Sequence, residues 1–140
     1  MKLCSDHCCA RCPYGWIRYG NRCYMFFYQQ MTWAQAERYC THRGGNLASI
    51  PDDGVLDFLR GYVYRVTGAY RQVWLGGHDA VEEGIWMWSN GDRFYFKKWA
   101  KGQPNNGGRG EHCMEMNYKG QYVNDTCCGQ RRHFFCARNL

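Results

Sequence analysis

The stretch that organises this chain reads Gln-Pro-Asn-Asn-Gly-Gly-Arg-Gly-Glu-His-Cys over residues 103–113 and, after a short apolar run, Val-Asn-Asp over residues 123–125. Pro104 restricts the backbone between two amide residues, and we expect a cis peptide bond before it. The glycines that follow let the loop turn back on itself. Calcium prefers carboxylate, amide and backbone oxygens, usually six to eight of them. The stretch therefore predicts a calcium site, whose side-chain ligands are Gln103, Asn105, Glu111, Asn124 and Asp125.

Length and composition indicate a single domain with an aromatic core. The chain has 140 residues, of which 45% are hydrophobic and 17% aromatic, and this length is enough for a sizeable core. No apolar run approaches the length of a membrane span. The formal net charge is +6, but the basic residues form no stripe of the kind that binds nucleic acid. Residues 1–10 are too short and too polar for a signal peptide, so we expect that such a leader has been removed.

Ten cysteines in a chain of this size indicate disulfide bonds and a secreted, extracellular protein. A cytosolic zinc protein is the alternative reading. It is disfavoured because the Cys-x-x-Cys formed by Cys9 and Cys12 has no matching second pair.

The first half of the chain predicts a hairpin and two helices. Residues 13–28 alternate turn residues with aromatics, which is typical of a hairpin. Thr32 and Gln35 form a capping-box pattern, so a helix begins there, with Trp33, Ala36 and Cys40 on its buried face and an end near residues 44–45. A second helix begins at residues 51–53, because apolar residues then recur at helical spacing, namely Val55, Leu56, Leu59 and Val63. Gly61 weakens its second half.

The second half of the chain predicts short strands around a long loop. Apolar segments bounded by turn residues lie at 73–75, 85–88, 113–117, 122–124 and 133–137. Residues 92–109 show no periodicity, and a loop of that length in a small domain is either functional or disordered. The fold class is therefore α+β, with small antiparallel sheets in one domain over residues 12–140 and a cysteine-bearing tail over residues 1–11.

Several motifs together resemble the C-type lectin-like domain family. They are Cys-Pro-Tyr-Gly-Trp (12–16), Trp-Ala-x-Ala-x-x-Tyr-Cys (33–40), Asn-Leu-Ala-Ser-Ile (46–50), Trp-Leu-Gly-Gly (74–77), Gln-Pro-Asn (103–105), Glu-x-Cys (111–113), Asn-Asp-x-x-Cys (124–128) and Phe-Cys (135–136). The resemblance covers residues 12–138. It implies a disulfide-stapled domain whose long loop binds one calcium ion, with the same five side chains and the ion together holding vicinal hydroxyls of a sugar ring.

The resemblance also implies three disulfide bonds and leaves four cysteines unassigned. The expected pairs are Cys12–Cys23, Cys40–Cys136 and Cys113–Cys128. Two readings remain open for Cys4, Cys8, Cys9 and Cys127: further internal bridges, or a disulfide-linked homodimer. Adjacent cysteines such as Cys8 and Cys9 rarely bridge each other.

The family's auxiliary calcium site would use Asp79, Glu83, Asn106 and His112. The last two replace expected acids, so we expect no calcium there and treat Asp79 and Glu83 as ordinary loop acids. The main site also carries only two formal negative charges, which predicts weak calcium binding. Sugar binding that does not require the ion therefore stays open.

The choice of sugar is not fixed by the loop. In the family, Glu-Pro-Asn accompanies mannose-type and Gln-Pro-Asp galactose-type selection, whereas this chain has an amide at both ends. Gln103 resembles the galactose form, so we favour galactose-type glycans over mannose-type ones. Galactose binders stack the sugar on a loop aromatic, and Tyr118 or Tyr122 is the candidate here.

Other readings of individual residues compete with this one. Asn124-Asp-Thr is also an N-glycosylation pattern, but a glycan on Asn124 would abolish the cage. An acid–base pair of His78 and Asp79 is the only hint of catalysis, and without a His-Glu-x-x-His or a serine elbow we predict no enzyme.

Six basic residues could bind anionic glycans, although a solvated face is the simpler reading. They are Lys97, Lys98, Lys101, Arg109, Arg131 and Arg132. Finally, the ten-cysteine ice-binding proteins of fish use this scaffold without sugar, but the lysines beside the loop argue against a flat, weakly charged ice-binding face.

Overall fold

The computed structural model describes residues 11–105, 110–117 and 123–140. Two helices lie early in the chain and are followed mostly by strands, which confirms the α+β class. Helix α1 spans Trp33–His42 and helix α2 spans Asp53–Thr67. The strands are β1 (Ile17–Tyr19), β2 (Arg22–Met31), β3 (Asn46–Leu47), β4 (Val73–His78), β5 (Met87–Trp88), β6 (Cys113–Met116), β7 (Val123–Thr126) and β8 (Arg132–Asn139).

Both helices begin where the sequence predicts, and each has a side-chain cap. Thr32 accepts a hydrogen bond from the backbone N–H of Gln35, and the Gln35 side chain accepts one from the N–H of Thr32, so the capping box is complete. The Asp52 carboxylate accepts from the N–H of Val55 at the start of α2. Gly68, with a φ of 81°, ends α2 in the left-handed conformation that glycine adopts without steric cost. Gly61 does not shorten the helix.

The strands form one connected mixed sheet in the order β1-β2-β8-β4-β6-β7, with β3 beside β8 and β5 beside β4. Strands β4 and β8 run parallel, and the other pairs of strands are antiparallel. The expectation of small antiparallel sheets therefore missed two features. One is the parallel pair that joins them, and the other is the short strand β3.

The core has two parts on either side of the central strands. Val55, Leu56, Leu59 and Val63 of α2 are all buried, as predicted. On the α1 side, Ala36 and Cys40 pack with Trp74, whose indole N–H donates to the Met31 carbonyl at 2.8 Å. Trp33 is only half-buried, although its indole N–H donates to the Leu75 carbonyl.

Three disulfide bonds join the expected pairs, Cys12–Cys23, Cys40–Cys136 and Cys113–Cys128. The longest, Cys40–Cys136, connects α1 to β8 across a separation of 96 residues. Cys127 is half-buried and forms no disulfide with any described cysteine. Cys4, Cys8 and Cys9 lie outside the described residues.

The segment that leads into the long loop is packed on the core. Phe96 is buried, and the Phe94 ring lies tilted against Trp88 with ring centroids 4.7 Å apart. Trp99 meets Trp86 edge-on at 4.8 Å. These aromatic contacts hold residues 94–99 although the sequence shows no periodicity there.

Candidate calcium and sugar site

The base of the long loop is fixed to β7, the strand that carries Asn124 and Asp125. The N–H of Ala100 donates to the Val123 carbonyl at 2.6 Å, and the N–H of Gln103 donates to the Ala100 carbonyl at 2.9 Å. The Gln103–Pro104 peptide bond is cis, which confirms the prediction. These bonds place the Gln-Pro-Asn turn beside the end of the sheet.

Asp125 connects the two halves of the predicted cage. Its Oδ1 atom accepts a hydrogen bond from the N–H of Asn105 at 3.0 Å, although the two residues are 20 positions apart. Asp125 is 1% exposed, whereas Asn105 is exposed. The carboxylate therefore holds the turn that carries Gln103 and Asn105 against β7.

Glu111 lies at the same end of the sheet because it comes just before strand β6. It is half-buried and lies two residues before Cys113, which pairs with Thr126 next to Asp125. The disulfide from Cys113 to Cys128 fixes this register covalently. All five residues predicted as ligands thus belong to segments that the β6–β7 pair and the loop base bring together.

Two amide oxygens of this set are buried without a hydrogen bond. Oε1 of Gln103 and Oδ1 of Asn124 have no hydrogen-bond partner among the described residues. An unsatisfied buried acceptor costs about 1–3 kcal/mol, so such atoms require an explanation, and an unplaced ion is one. A hard cation accepts amide oxygens as ligands. The donor set present here therefore fits calcium.

The glycosylation reading of Asn124 conflicts with the structure. The side chain is 4% exposed, and its Nδ2 atom, where a glycan would be attached, donates to the Asp125 carbonyl at 3.0 Å. A glycan needs an accessible amide nitrogen, so this position favours the ligand reading.

Comparison with known proteins identifies the family. A family model described as the lectin C-type domain matches residues 29–138. The chain belongs to the C-type lectin domain family. It is 45% identical over 131 residues to the galactose-specific lectin nattectin of Thalassophryne nattereri, which covers 94% of this chain and 82% of that protein.

Two solved structures share the fold at about the same level of similarity. The C-type carbohydrate-recognition domain of cow CD23, crystallised in the presence of a GlcNAc2Man3 oligosaccharide, superposes with a TM-score of 0.85 at 31% identity, covering 94% of this chain and 98% of that one. Herring type II antifreeze protein superposes with a TM-score of 0.84 at 30% identity, covering 92% and 99%. The family thus includes proteins whose names describe different ligands.

A second cluster, of two carboxylates and an imidazole, lies close to this C-type lectin loop. Single ligand atoms of Asp79, Glu83 and His112 all lie within 4.8 Å of one another. Nδ1 of His112 is 3.0 Å from Oδ1 of Asp79 and 3.3 Å from Oε2 of Glu83. Asp79 also accepts from the N–H of Gly84 and is 2% exposed. Treating Asp79 as an ordinary loop acid was therefore wrong, because it is a buried structural group, whereas Glu83 is half-exposed.

The imidazole of His112 takes the place of an acid that the family pattern expects. The sequence did not indicate that it would contact the carboxylates of both Asp79 and Glu83. Desolvation and the adjacent Asp79 raise the pKa of Glu83, because two carboxylates so close together resist simultaneous ionisation. Asn106, the fourth member of the predicted auxiliary set, lies outside the described residues.

His78 and Asp79, the candidate acid–base pair, have different surroundings. Nδ1 of His78 has no hydrogen-bond partner among the described residues, and burial lowers the pKa of its imidazole. Asp79 instead contacts His112, so the proposed acid–base pair is not formed between these groups. Arg132 is bound to the buried Glu115 at 2.7 Å, and Lys98 lies 3.6 Å from Asp53. Arg109, Tyr118 and Tyr122 lie outside the described residues.

No helix in the described part of the chain has the length and apolar character needed to cross a membrane.

Proposed function

We propose that this protein is a secreted lectin that binds terminal sugars of the galactose type through a calcium-dependent loop. The observation that carries the proposal is the pair of buried amide oxygens, on Gln103 and Asn124, that lack hydrogen-bond partners among the described residues and belong to segments tied together by Asp125. A calcium ion bound there supplies coordination sites for two neighbouring sugar hydroxyls. No step of the proposal requires catalysis.

The residues of the chain have distinct tasks in this proposal. Glu111 and Asp125 provide the two formal negative charges that offset the charge of the ion. Gln103 and Asn105 present amide groups, which offer both an acceptor oxygen and donor N–H groups to a sugar hydroxyl. Asn105 is exposed, so it can contact a ligand from solvent.

The preference for galactose has two supports. The Gln end of the Gln-Pro-Asn turn resembles the galactose form of the motif, and the relative with 45% identity is a galactose-specific lectin by name. Mannose-type glycans are the alternative, since the Asn end matches the other rule.

Secretion is supported by the disulfide bonds. Three of them form with ordinary geometry in the described residues, and such bonds persist in oxidising compartments. A role in agglutination or innate defence would follow from binding sugars on foreign cells.

The deciding experiment is a glycan array read with calcium and with a chelator. We expect retention of galactose-terminated glycans that is lost on chelation. Glu111→Gln and Asp125→Asn should each abolish that calcium-dependent retention, because each removes half of the formal charge of the cage. Glu82→Gln, which removes an exposed acid from another loop, is the matched control and should bind like the wild type. Unchanged calcium-dependent binding in both site variants would refute the assignment.

Ice binding is the second candidate, favoured by the structural match to herring type II antifreeze protein. Exposed Lys97 and Lys101 near the loop disfavour it, since an ice-binding face should be flat and weakly charged. Thermal hysteresis measured on the same preparation as the glycan array separates the two functions. Hysteresis without glycan retention would support the antifreeze reading.

A further inference from the structure

A groove lined by two exposed arginines lies between α1, the end of β2 and the β7–β8 turn. Its volume is about 480 Å³, within the range of ligand-binding pockets. Its lining includes Met31, Arg38, Tyr39, His42 and Arg131 and no residue of the 103–125 loop. The groove is therefore a different site from the proposed calcium cage.

One face of α1 forms a wall of the groove. Gln35, Arg38, Tyr39 and His42 are spaced as i, i+3, i+4 and i+7, so they share a single stripe of the helix. The acidic residue of the same helix, Glu37, instead binds the Leu47 N–H and the Asn46 side chain. The stripe that faces the groove consequently carries the positive charge of Arg38 and no acid.

The floor of the groove is apolar and held in place. The Met31 carbonyl accepts the Trp74 indole N–H at 2.8 Å. Tyr39 meets the Phe27 ring edge-on at 4.9 Å, and its hydroxyl accepts a hydrogen bond from Arg43. Because these contacts already hold the side chains in place, less conformational entropy is lost when a ligand binds.

The two arginines at the rim, unlike Arg132 beside them, have no acidic partner in the part of the chain that the structure describes. Arg131 follows the β7–β8 turn, and its carbonyl accepts from Nη1 of Arg132, which is itself bound to buried Glu115. Arg38 and Arg131 are both exposed, and neither forms an ion pair within the described residues. An anion would therefore gain contacts here without displacing an internal carboxylate.

We infer that this groove binds an acidic polysaccharide, with the sulfate or carboxylate groups of the polymer on Arg38 and Arg131 and an apolar sugar face over Met31. Guanidinium groups bind oxyanions through two parallel hydrogen bonds. The polymer is favoured over a small enclosed ligand because the groove is open, with exposed residues along both sides. The inference does not depend on the calcium cage.

The test uses immobilised polymers in the presence of a chelator, so that the calcium cage contributes nothing. The probes are dextran sulfate, polygalacturonate and neutral dextran, read at several salt concentrations. We expect the wild-type protein to bind the two anionic polymers and to leave neutral dextran unbound. The ratio of binding to dextran sulfate and to polygalacturonate shows whether sulfate or carboxylate is the preferred anion.

The double variant Arg38→Gln/Arg131→Gln should weaken binding about three- to tenfold, as expected for two exposed charge contacts. The slope of log affinity against log salt concentration should become less negative by about one to two. Arg65→Gln/Arg71→Gln is the matched control, because it removes the same charge from exposed residues outside the groove, and it should bind nearly as the wild type does. Gln30→Trp, which fills the groove without changing its charge, should also weaken binding.

Three results would overturn the inference. Equal losses in the two double arginine variants would mean that net charge alone drives binding. If the Gln30→Trp variant and the Arg38→Gln/Arg131→Gln variant both bound the polymers as the wild type does, the groove would be excluded as the binding site. Binding to vesicles of anionic phospholipid, with no binding to either anionic polymer, would assign the groove to a membrane surface instead. Because Glu111→Gln should leave polymer binding intact, failure of this inference and failure of the proposed lectin function are distinguishable.

Discussion

Removing the Cys40–Cys136 bridge should destabilise this domain more than removing either of the other two described disulfides. The bridge closes a separation of 96 residues, against 15 for Cys113–Cys128 and 11 for Cys12–Cys23. In the chain-entropy model, loops of these lengths correspond to about 4.7, 3 and 2.8 kcal/mol at 25 °C. Both Cys40 and Cys136 are also fully buried, so their replacement loses packing as well.

The largest of these values is comparable to the whole stability of many domains, which is about 5–15 kcal/mol. We therefore expect Cys40→Ala/Cys136→Ala to be partly unfolded or close to it at 37 °C. The Cys113→Ala/Cys128→Ala and Cys12→Ala/Cys23→Ala variants should stay folded with lower denaturation midpoints.

The assay is urea denaturation of the three double-alanine variants and the wild type, followed by tryptophan fluorescence. Each sample is first mapped by alkylation and peptide analysis, so that any scrambling that involves Cys127 is detected. The wild-type map should show Cys40 and Cys136 joined to each other. If the Cys40/Cys136 variant lost less free energy of unfolding than the Cys12/Cys23 variant, loop closure would not be the source of the stabilisation.

Three further predictions concern the site, the pH dependence and the assembly. Gln103→Glu adds a third carboxylate to the cage, so calcium affinity measured by calorimetry should rise about tenfold, whereas Gln130→Glu on an exposed turn should leave it unchanged. Burial, with the nearby Arg71 charge, lowers the pKa of His133 in the folded state. The unfolded chain therefore binds more protons, and stability should fall as pH drops below about 6.5. His133→Phe should reduce that loss of stability, and part of the loss should remain because burial also lowers the pKa of His78. Weak single sites need multivalency to agglutinate cells, so the protein should sediment as a homodimer. A band at twice the monomer mass on non-reducing gels would show that the dimer is disulfide-linked. A monomer that still agglutinates cells would contradict this prediction.

Cation binding by the loop also has a stability consequence that tests the unsatisfied oxygens directly. A ligand that binds only the folded state raises the unfolding temperature by mass action. Excess calcium should therefore raise the melting temperature of the wild type and leave that of Asp125→Asn unchanged. Magnesium, which demands stricter octahedral geometry, should have a smaller effect.

The sequence alone determined the elements that depend on local chemistry. Thr32 with Gln35 and Asp52 ahead of Val55 set the starts of both helices, since a cap needs only residues three positions apart. The helical spacing of Val55, Leu56, Leu59 and Val63 identified the buried face of α2. The loop from Gln103 to Asp125 was recognisable because calcium ligands are oxygen-bearing residue types and Pro104 constrains its turn.

Only the tertiary structure decided the features that depend on contacts between distant segments. The parallel pairing of β4 with β8, the burial of Asp79 against His112 and the ion pair of Arg132 with buried Glu115 are all set by residues far apart in the chain. The same holds for the two unsatisfied oxygens of Gln103 and Asn124, because whether a polar atom finds a partner depends on every segment packed around it. Local spacing fixes which residue types are available, whereas burial and partners are fixed only when the whole chain has packed.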